Sequence, residues 1–282
     1  MPTVAITEFT DPGCPFAFSA EPQRLRLRWL FGEQLEWTAR MVGLASERSD
    51  YEAKGFTPER TAASWRTLGE RHGMPMSEEV KPAVAATLPA CRAVVAARRH
   101  APDRAWLLLR SLRRLHFTGP LLDDPGTIRA AAAEAGLEPD ALEGWMAEPA
   151  TEEALREDLR LARDPSPAAL ALPAKLARWN GGWRYTCPSY ELRSQDSARF
   201  AAPGFQSALT YETVLANLAP DLERRDPPQD VAEVLAWAGI PLASQEVAEV
   251  CGLSRQEARA RLADAGAQEE RVGADGFWRL AG

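Results

Sequence analysis

The stretch Cys14-Pro15-Phe16-Ala17 holds the residues of this chain best suited to chemistry. It joins an apolar run, Val4 to Phe9, to a segment from Phe16 to Phe31 whose apolar residues recur at helical spacing. The pattern predicts a short buried strand, a turn, and Cys14 at the first turn of a helix. Pro15 suits the position after it, where an N–H has no partner anyway. A thiol so placed faces free backbone N–H groups and the positive end of the helix dipole, which lower its pKa. A dithiol motif would carry a second cysteine at position 17 to release a mixed disulfide, and Ala17 cannot do so. The bland alternative for Cys14 is a small apolar residue at a helix start.

The elements that must position this thiol follow from the rest of the chain. Its 282 residues, 45% hydrophobic and 26% charged, suffice for a full-cored domain and a smaller module. No apolar run approaches the roughly 20 residues that span a bilayer. No basic stretch precedes an apolar core at the start, so the expected location is cytoplasmic. Four cysteines without a CxxC pair suggest neither a disulfide scaffold nor a zinc site. A net charge of −7 disfavours nonspecific nucleic-acid binding.

Strand, helix, strand is the expected opening: Val4–Phe9, Phe16–Phe31 and Leu35–Val42. Helices alone follow, near Glu59–Arg71, Ala83–Arg99, Asp103–Phe117, Thr127–Ala135 and Glu152–Ala162, several begun by cap–proline pairs such as Thr57-Pro58 and Asp124-Pro125. Strands return at Trp183–Leu192 and Ala198–Ala202, and a helix runs from about Ser207 to Ala219. The turn signal Asn180-Gly181 is expected to lead into the second half of the sheet. Residues 221–229, charged and doubly proline-bearing, read as a linker.

Three local stretches fit one family. D-P-G-C-P-F-A stands at the first strand–helix junction, T-C-P-S-Y-E-L at a later strand, and A-P-G-F-Q before the last helix of this part. With the order of elements over roughly residues 3–220, they resemble the DsbA-like branch of the thioredoxin superfamily. That branch includes disulfide oxidoreductases, kappa-class glutathione transferases and 2-hydroxychromene-2-carboxylate isomerases. The resemblance implies an α/β, thioredoxin-like fold made of residues 1–56 and 179–220, with an all-helical insertion at 57–178. It makes Cys14 the nucleophile and Pro188 the family's cis-proline, with Pro15, Phe16, Cys187, Pro188, Gly204 and Gln206 expected to contact substrate. Ala17 departs from the oxidoreductases, which keep cysteine there, and Cys14 departs from the isomerases, which typically have serine.

The same resemblance gives Glu8 a role, because the family often keeps a buried acid beneath the cysteine. A desolvated carboxyl there has a raised pKa and could relay a proton to the sulfur; the alternative is a solvated acid at a strand end. It also places Cys187 beside Cys14, as a resolving sulfur if the Cα atoms lie within the disulfide range of about 4.4–6.8 Å. The alternatives for Cys187 are a small residue in a tight corner and, remotely, a metal or iron–sulfur site shared across a dimer. Cys91 and Cys251 read as core. His72, His100 and His116 share no ligand spacing. Trp65, Trp106, Tyr185 and Phe16 are core or the lining of an apolar groove.

Beyond residue 229 the pattern changes. Helices at Val231–Ala238, Ser244–Cys251 and Arg255–Ala265 precede a hairpin around Ala274-Asp275-Gly276, with Ser244 and Ser254 as expected N-caps. Residues 230–282 resemble a winged helix-turn-helix domain, in which Arg255, Arg259 and Arg261 would face DNA. Acids crowd them, among them Glu246, Glu249, Glu257, Asp264, Glu269 and Glu270, whereas a duplex reader needs a basic face. The expected role is docking or dimerisation, which leaves a homodimer open. The functional expectation is single-thiol chemistry of Cys14 on a small thiol, disulfide or thiol-activated substrate. No tightly bound cofactor is expected; a low-molecular-weight thiol such as glutathione is the candidate partner. A glutathione-type isomerase or transferase, and a non-catalytic regulator, are the alternatives.

Overall fold

The computed structural model describes residues 3–196 and 198–281; positions 1 and 282, the outer ends of the expected domain ranges, lie outside the described residues. β1 (Val4–Thr10) is followed by α1 (Pro15–Ser19), α2 (Glu21–Phe31) and β2 (Leu35–Met41). β2 runs parallel to β1, pairing Val4 with Leu35 and Thr10 with Met41. The single helix expected over Phe16–Phe31 is therefore two. Ala20 N–H closes back on Ala17 O at 3.3 Å, and Pro22 has no N–H to bond the Phe18 carbonyl, so the axis breaks between them.

After β2 come α3 (Arg48–Glu52), ahead of the expected insertion, and then α4 (Pro58–His72), α5 (Leu88–His100), α6 (Pro102–Thr118), α7 (Pro125–Glu134), α8 (Pro139–Met146), α9 (Pro149–Ala162) and α10 (Pro167–Leu170). Proline leads six of these eight, in the position where its fixed φ and missing N–H suit a helix start. The helix expected from Ala83 begins only at Leu88. Thr87 and Leu88 both donate to Ala45 O, at 2.9 and 3.1 Å, and this holds the segment before them out of the helix. α5 is central: Ala90, Cys91, Ala93, Val94, Val95, Ala96 and Ala97 are all fully buried.

β3 (Leu176–Trp179) and β4 (Gly182–Tyr185) form a separate ribbon around Asn180-Gly181, both at positive φ, so this turn does not enter the main sheet. The strand expected over Trp183–Leu192 is likewise split. β4 stops at Tyr185, and β5 (Ser189–Arg193) starts in another sheet, because Pro188 has no N–H to give to a continuous ladder. β6 (Arg199–Ala202) and α11 (Ala208–Leu218) complete this part. The main sheet has the order β2-β1-β5-β6, with β5 antiparallel to β1 and β6 antiparallel to β5.

The remainder is α12 (Val231–Ala238), β7 (Leu242–Ala243), α13 (Ser244–Cys251), α14 (Arg255–Asp264), β8 (Gln268–Val272) and β9 (Asp275–Arg279), with strand order β7-β9-β8. Ser254 accepts from Glu257 N–H as a cap. Ser244 does not cap: it is the first helical residue, and its hydroxyl donates to Asp275 and accepts from Trp278 Nε1. The hairpin turns at Gly273-Ala274, one step before the expected place, since Val272 pairs with Asp275. Only glycine fits position 273, at φ +56°, where a Cβ would lie 2.5 Å from Met76 O.

These elements share the main core. Val231, Leu235, Val247, Val250, Leu262 and Trp278 belong to one apolar cluster with Leu25, Leu27 and Trp29 of α2. Residues 221–229 are irregular but fastened: Arg225 N–H donates to Leu30 O at 2.8 Å, and Trp29 Nε1 donates to Asp226 O at 3.0 Å. No described helix is long and apolar enough to cross a membrane.

Candidate active site

The pairing of β1 with β5 ends at Phe9 opposite Ser189, so the loop leaving β1 and the turn entering β5 lie side by side. Cys14 stands in the first and Cys187 in the second. Cys14 N–H bonds Asp11 O at 3.2 Å, and Cys14 O accepts the first helical bond of α1 from Phe18 at 3.0 Å. Across the junction, Cys14 Sγ donates to Cys187 O at 3.4 Å. Both sulfurs are free thiols, each residue 7% exposed. The Cys187–Pro188 peptide is cis. Its turn is braced on both sides: Thr186 Oγ1 donates to Lys175 O at 2.6 Å, Ser189 Oγ to Thr186 O at 2.6 Å, and Gly204 N–H to Ser189 Oγ at 2.9 Å.

The Cys14 thiol is held below its ordinary pKa, above all by a hydrogen bond from the Cys187 thiol, which outweighs its burial. The backbone N–H groups of Ala17 and Phe16 help less. The cause therefore differs from the helix-start argument: α1 has only five residues, and the second sulfur contributes most. Burial, and then the neighbouring Cys14, push Cys187 well above the ordinary thiol range. The first proton thus leaves Cys14, and the second is retained on Cys187.

Two buried acids lie near. Glu8 belongs to an ionic cluster, bonded to Arg24 and 3.5 Å from Arg113, whose guanidinium also reaches Glu21 and Thr10. Its bonded partners are the arginines of that cluster. The acid whose charge reaches Cys14 is Asp11, and it raises the thiol's pKa. Asp11 is fully buried and accepts from Gly13 N–H, Leu44 N–H, Thr87 Oγ1 and Cys91 Sγ at 2.8, 2.9, 3.0 and 3.5 Å. It ties the Cys14 loop to the exit of β2 and to α5, and burial raises its pKa. Asp11 opens the D-P-G-C-P stretch and was visible there, but no pattern in the sequence gave it a role.

Of the expected contact residues, Pro15 lines a cavity beside Cys14, and Phe16 is 44% exposed with its ring edge toward His72. His72 also meets Phe205, so an aromatic rim joins α1 to the loop after β6. Gly204 braces the Pro188 turn, and the Gln206 amide folds back on Pro203 O at 2.9 Å. Trp65 lines the same cavity as Pro15, but Trp106 and Tyr185 do not. Trp106 lies under the guanidinium of Arg28, and Tyr185 stacks on Phe9 at 4.0 Å.

That cavity holds about 320 Å³ and runs between the Cys14 loop, α3, α4 and the segment before α5. Tyr51, Phe56, Trp65 and Val84 form much of its wall, and Lys54, Arg60 and Lys81 bring charge. Burial, then the charges of Asp11, Cys14 and Cys187, push the Tyr51 phenol upward and keep it a hydrogen-bond donor. Tyr51 lies in α3 and Lys81 in the helical insertion, with no motif around either, and sequence reasoning missed both.

A cysteine at a strand–helix junction, facing a proline-led antiparallel strand in a sheet of order β2-β1-β5-β6, defines a thioredoxin-fold thiol protein. The DSBA-like thioredoxin domain model matches residues 5–166, more than half of the chain, and the chain belongs to that family. Compared by sequence with curated proteins, it matches none. Among solved structures it is similar to a candidate protein disulfide isomerase from Nitrosomonas europaea (TM-score 0.59, 14% identity, covering 76% of this chain and 97% of that one). It is also similar to a probable DsbA oxidoreductase from Streptomyces coelicolor (0.54, 16%, 80% and 93%). The cytosolic disulfide reductase DsbM from Pseudomonas aeruginosa is a third (0.54, 16%, 76% and 99%). At these identities the likeness is one of fold.

Proposed function

We propose that the chain is a thiol–disulfide oxidoreductase whose two working sulfurs come from different strand ends, Cys14 attacking and Cys187 resolving. The observation that carries the reading is the hydrogen bond from the Cys14 thiol to the Cys187 carbonyl, which sets two free cysteines side by side with the acidified one at the helix start. The Cys14 thiolate attacks a substrate disulfide, forming a mixed disulfide and expelling one substrate thiolate. The Cys187 sulfur then attacks Cys14 Sγ, its proton passes to the departing second thiolate, and a Cys14–Cys187 disulfide remains. Two electrons have moved from enzyme to substrate. Two equivalents of a small thiol, glutathione being the type, return them and leave as their own disulfide.

A second reading leaves Cys187 idle and uses a glutathione-like thiol for an isomerase or transferase reaction; the cavity beside Cys14 favours a small-molecule substrate of that kind. The two separate on treatment with bis(2-hydroxyethyl) disulfide, followed by intact mass. Resolution by Cys187 predicts loss of two hydrogens in the wild type and a trapped adduct on Cys14 in Cys187→Ser. A stable adduct on the wild type itself removes Cys187 from the reaction and leaves the second reading. The proposed division of the chain is that given by the sequence, with residues 230–282 a winged-helix-like module. We assign it to docking on its own chain rather than to DNA, because Arg259 is held by Glu269 and Asp275, and Arg255 reaches back to Gly69 O.

A further inference from the structure

The cavity beside Cys14 is apolar in its walls and cationic in its charge. Lys54, Arg60 and Lys81 line it against a single acid, the exposed Glu79. Nearby guanidinium groups are matched, as in Arg48 with Asp123, Arg113 with Glu21 and Arg110 with Glu246. Among the described residues none of the three cavity cations is within ion-pair distance of a carboxylate, although Asp50 feels the charge of Lys54; their bonds run to backbone carbonyls. Lys54 Nζ donates to Leu44 O at 3.3 Å, and Arg60 Nη1 to Gly55 O at 2.5 Å. Lys81 Nζ donates to His116 O and to Pro120 O, the latter at 2.9 Å, and lies 4.7 Å from the centre of the Trp65 ring.

Lys81 is the informative one. An ammonium has three donors; two go to carbonyls, and the Trp65 ring faces the charge, so no acceptor with a formal negative charge is engaged. A half-buried cation without a counterion is costly, and burial lowers its pKa to about 8. His116 beside it is kept neutral by burial and by the Lys81 charge, and an imidazole supplies no negative charge in either form. In the cavity, Trp65, Val84, Ala83 and the 46% exposed Phe56 offer apolar surface, and the lining also includes Tyr51, whose phenol stays protonated.

We infer that this cavity takes the non-sulfur part of the substrate, and that this part is an organic carboxylate with a compact apolar body. The inference rests on Cys14 being the working thiol, and it adds a specificity-determining set: Lys81 and Arg60 for the carboxylate, Trp65 and Phe56 for the body. A cleft lined by one sign of charge concentrates ions of the other sign near the reacting group.

Alkylation of Cys14 by iodoacetate and by iodoacetamide tests this, because the two reagents differ in charge far more than in size. The rate ratio, iodoacetate over iodoacetamide, is compared with that of 2-mercaptoethanol at low ionic strength. The expected result is a ratio about tenfold above that of the free thiol, falling several-fold in Lys81→Met and in the exposed Arg60→Met, kept in Lys81→Arg, and weakened by salt. A ratio equal to that of the free thiol, or one unchanged in both methionine variants, overturns the inference while brisk iodoacetamide labelling leaves the thiol reading standing. If Cys14 reacts with neither reagent while Cys91 or Cys251 does, the thiol reading fails and takes the inference with it.

Discussion

A thiol works as a nucleophile near neutral pH only when its anion is stabilised. At Cys14 the main stabiliser is Cys187, the backbone N–H groups of Ala17 and Phe16 are secondary, and Asp11 opposes them. The sign of the pH dependence follows. A lowered pKa keeps thiolate present at lower pH, so removing the main donor must shift reactivity to higher pH. In Cys187→Ala the midpoint of the Cys14 alkylation rate against pH should therefore rise. A midpoint that stays in place would assign the effect to the helix start alone. Asp11 shows what a residue-by-residue reading misses: three of its four acceptor contacts reach Leu44, Thr87 and Cys91, none of them its neighbour in sequence.

Among elements, helix starts were the easiest to read, because a proline after a capping residue is a signal confined to a few positions. The breaks were harder. Pro22 ends the first helix early, and Thr87 is held out of α5 by Ala45, a residue on another element. The contact between α6 and α13 could not be read at all. Arg110, 4% exposed, grips both carboxylate oxygens of the fully buried Glu246 and also donates to Pro241 O at 2.9 Å. Glu246 in turn accepts Ala243 N–H at 2.7 Å, which fixes the start of α13. Truncating one partner strands a buried charge, so Glu246→Ala should cost about 3–5 kcal/mol in chemical denaturation. A loss under about 1 kcal/mol would mean that the pair is as weak as a surface ion pair.

At the scale of the molecule, the last segment is not a loosely tethered appendage. It shares the apolar cluster of α2, and Phe277 of β9 packs in the same cluster as Phe18 of α1, Trp65 and Phe117. It therefore supports both the helix that begins at Cys14 and the helix that walls the cavity. Two expectations follow for the full chain. Limited proteolysis should spare residues 221–229 despite their linker-like composition, since Leu30 and Trp29 hold their backbone. Calorimetry should show one unfolding transition. A stable fragment ending near Pro228, or two separate transitions, would make the module independent.

By itself the sequence determined the strand–cysteine–helix junction, the order of the elements, the proline-led helix starts and the three C-terminal helices. These depend on periodicity and capping, which act over a turn or two of chain. The family resemblance set Cys187 near Cys14, but the contact spans 173 positions and exists only because β1 and β5 pair to Phe9 and Ser189. Tertiary structure alone decided that Glu8 pairs with Arg24 and Arg113, that Lys81 sits beside Trp65 without an ion pair, and that the C-terminal helices close the core. Each of these rests on a charge or apolar face meeting its partner from a distant element, and no local pattern encodes that meeting.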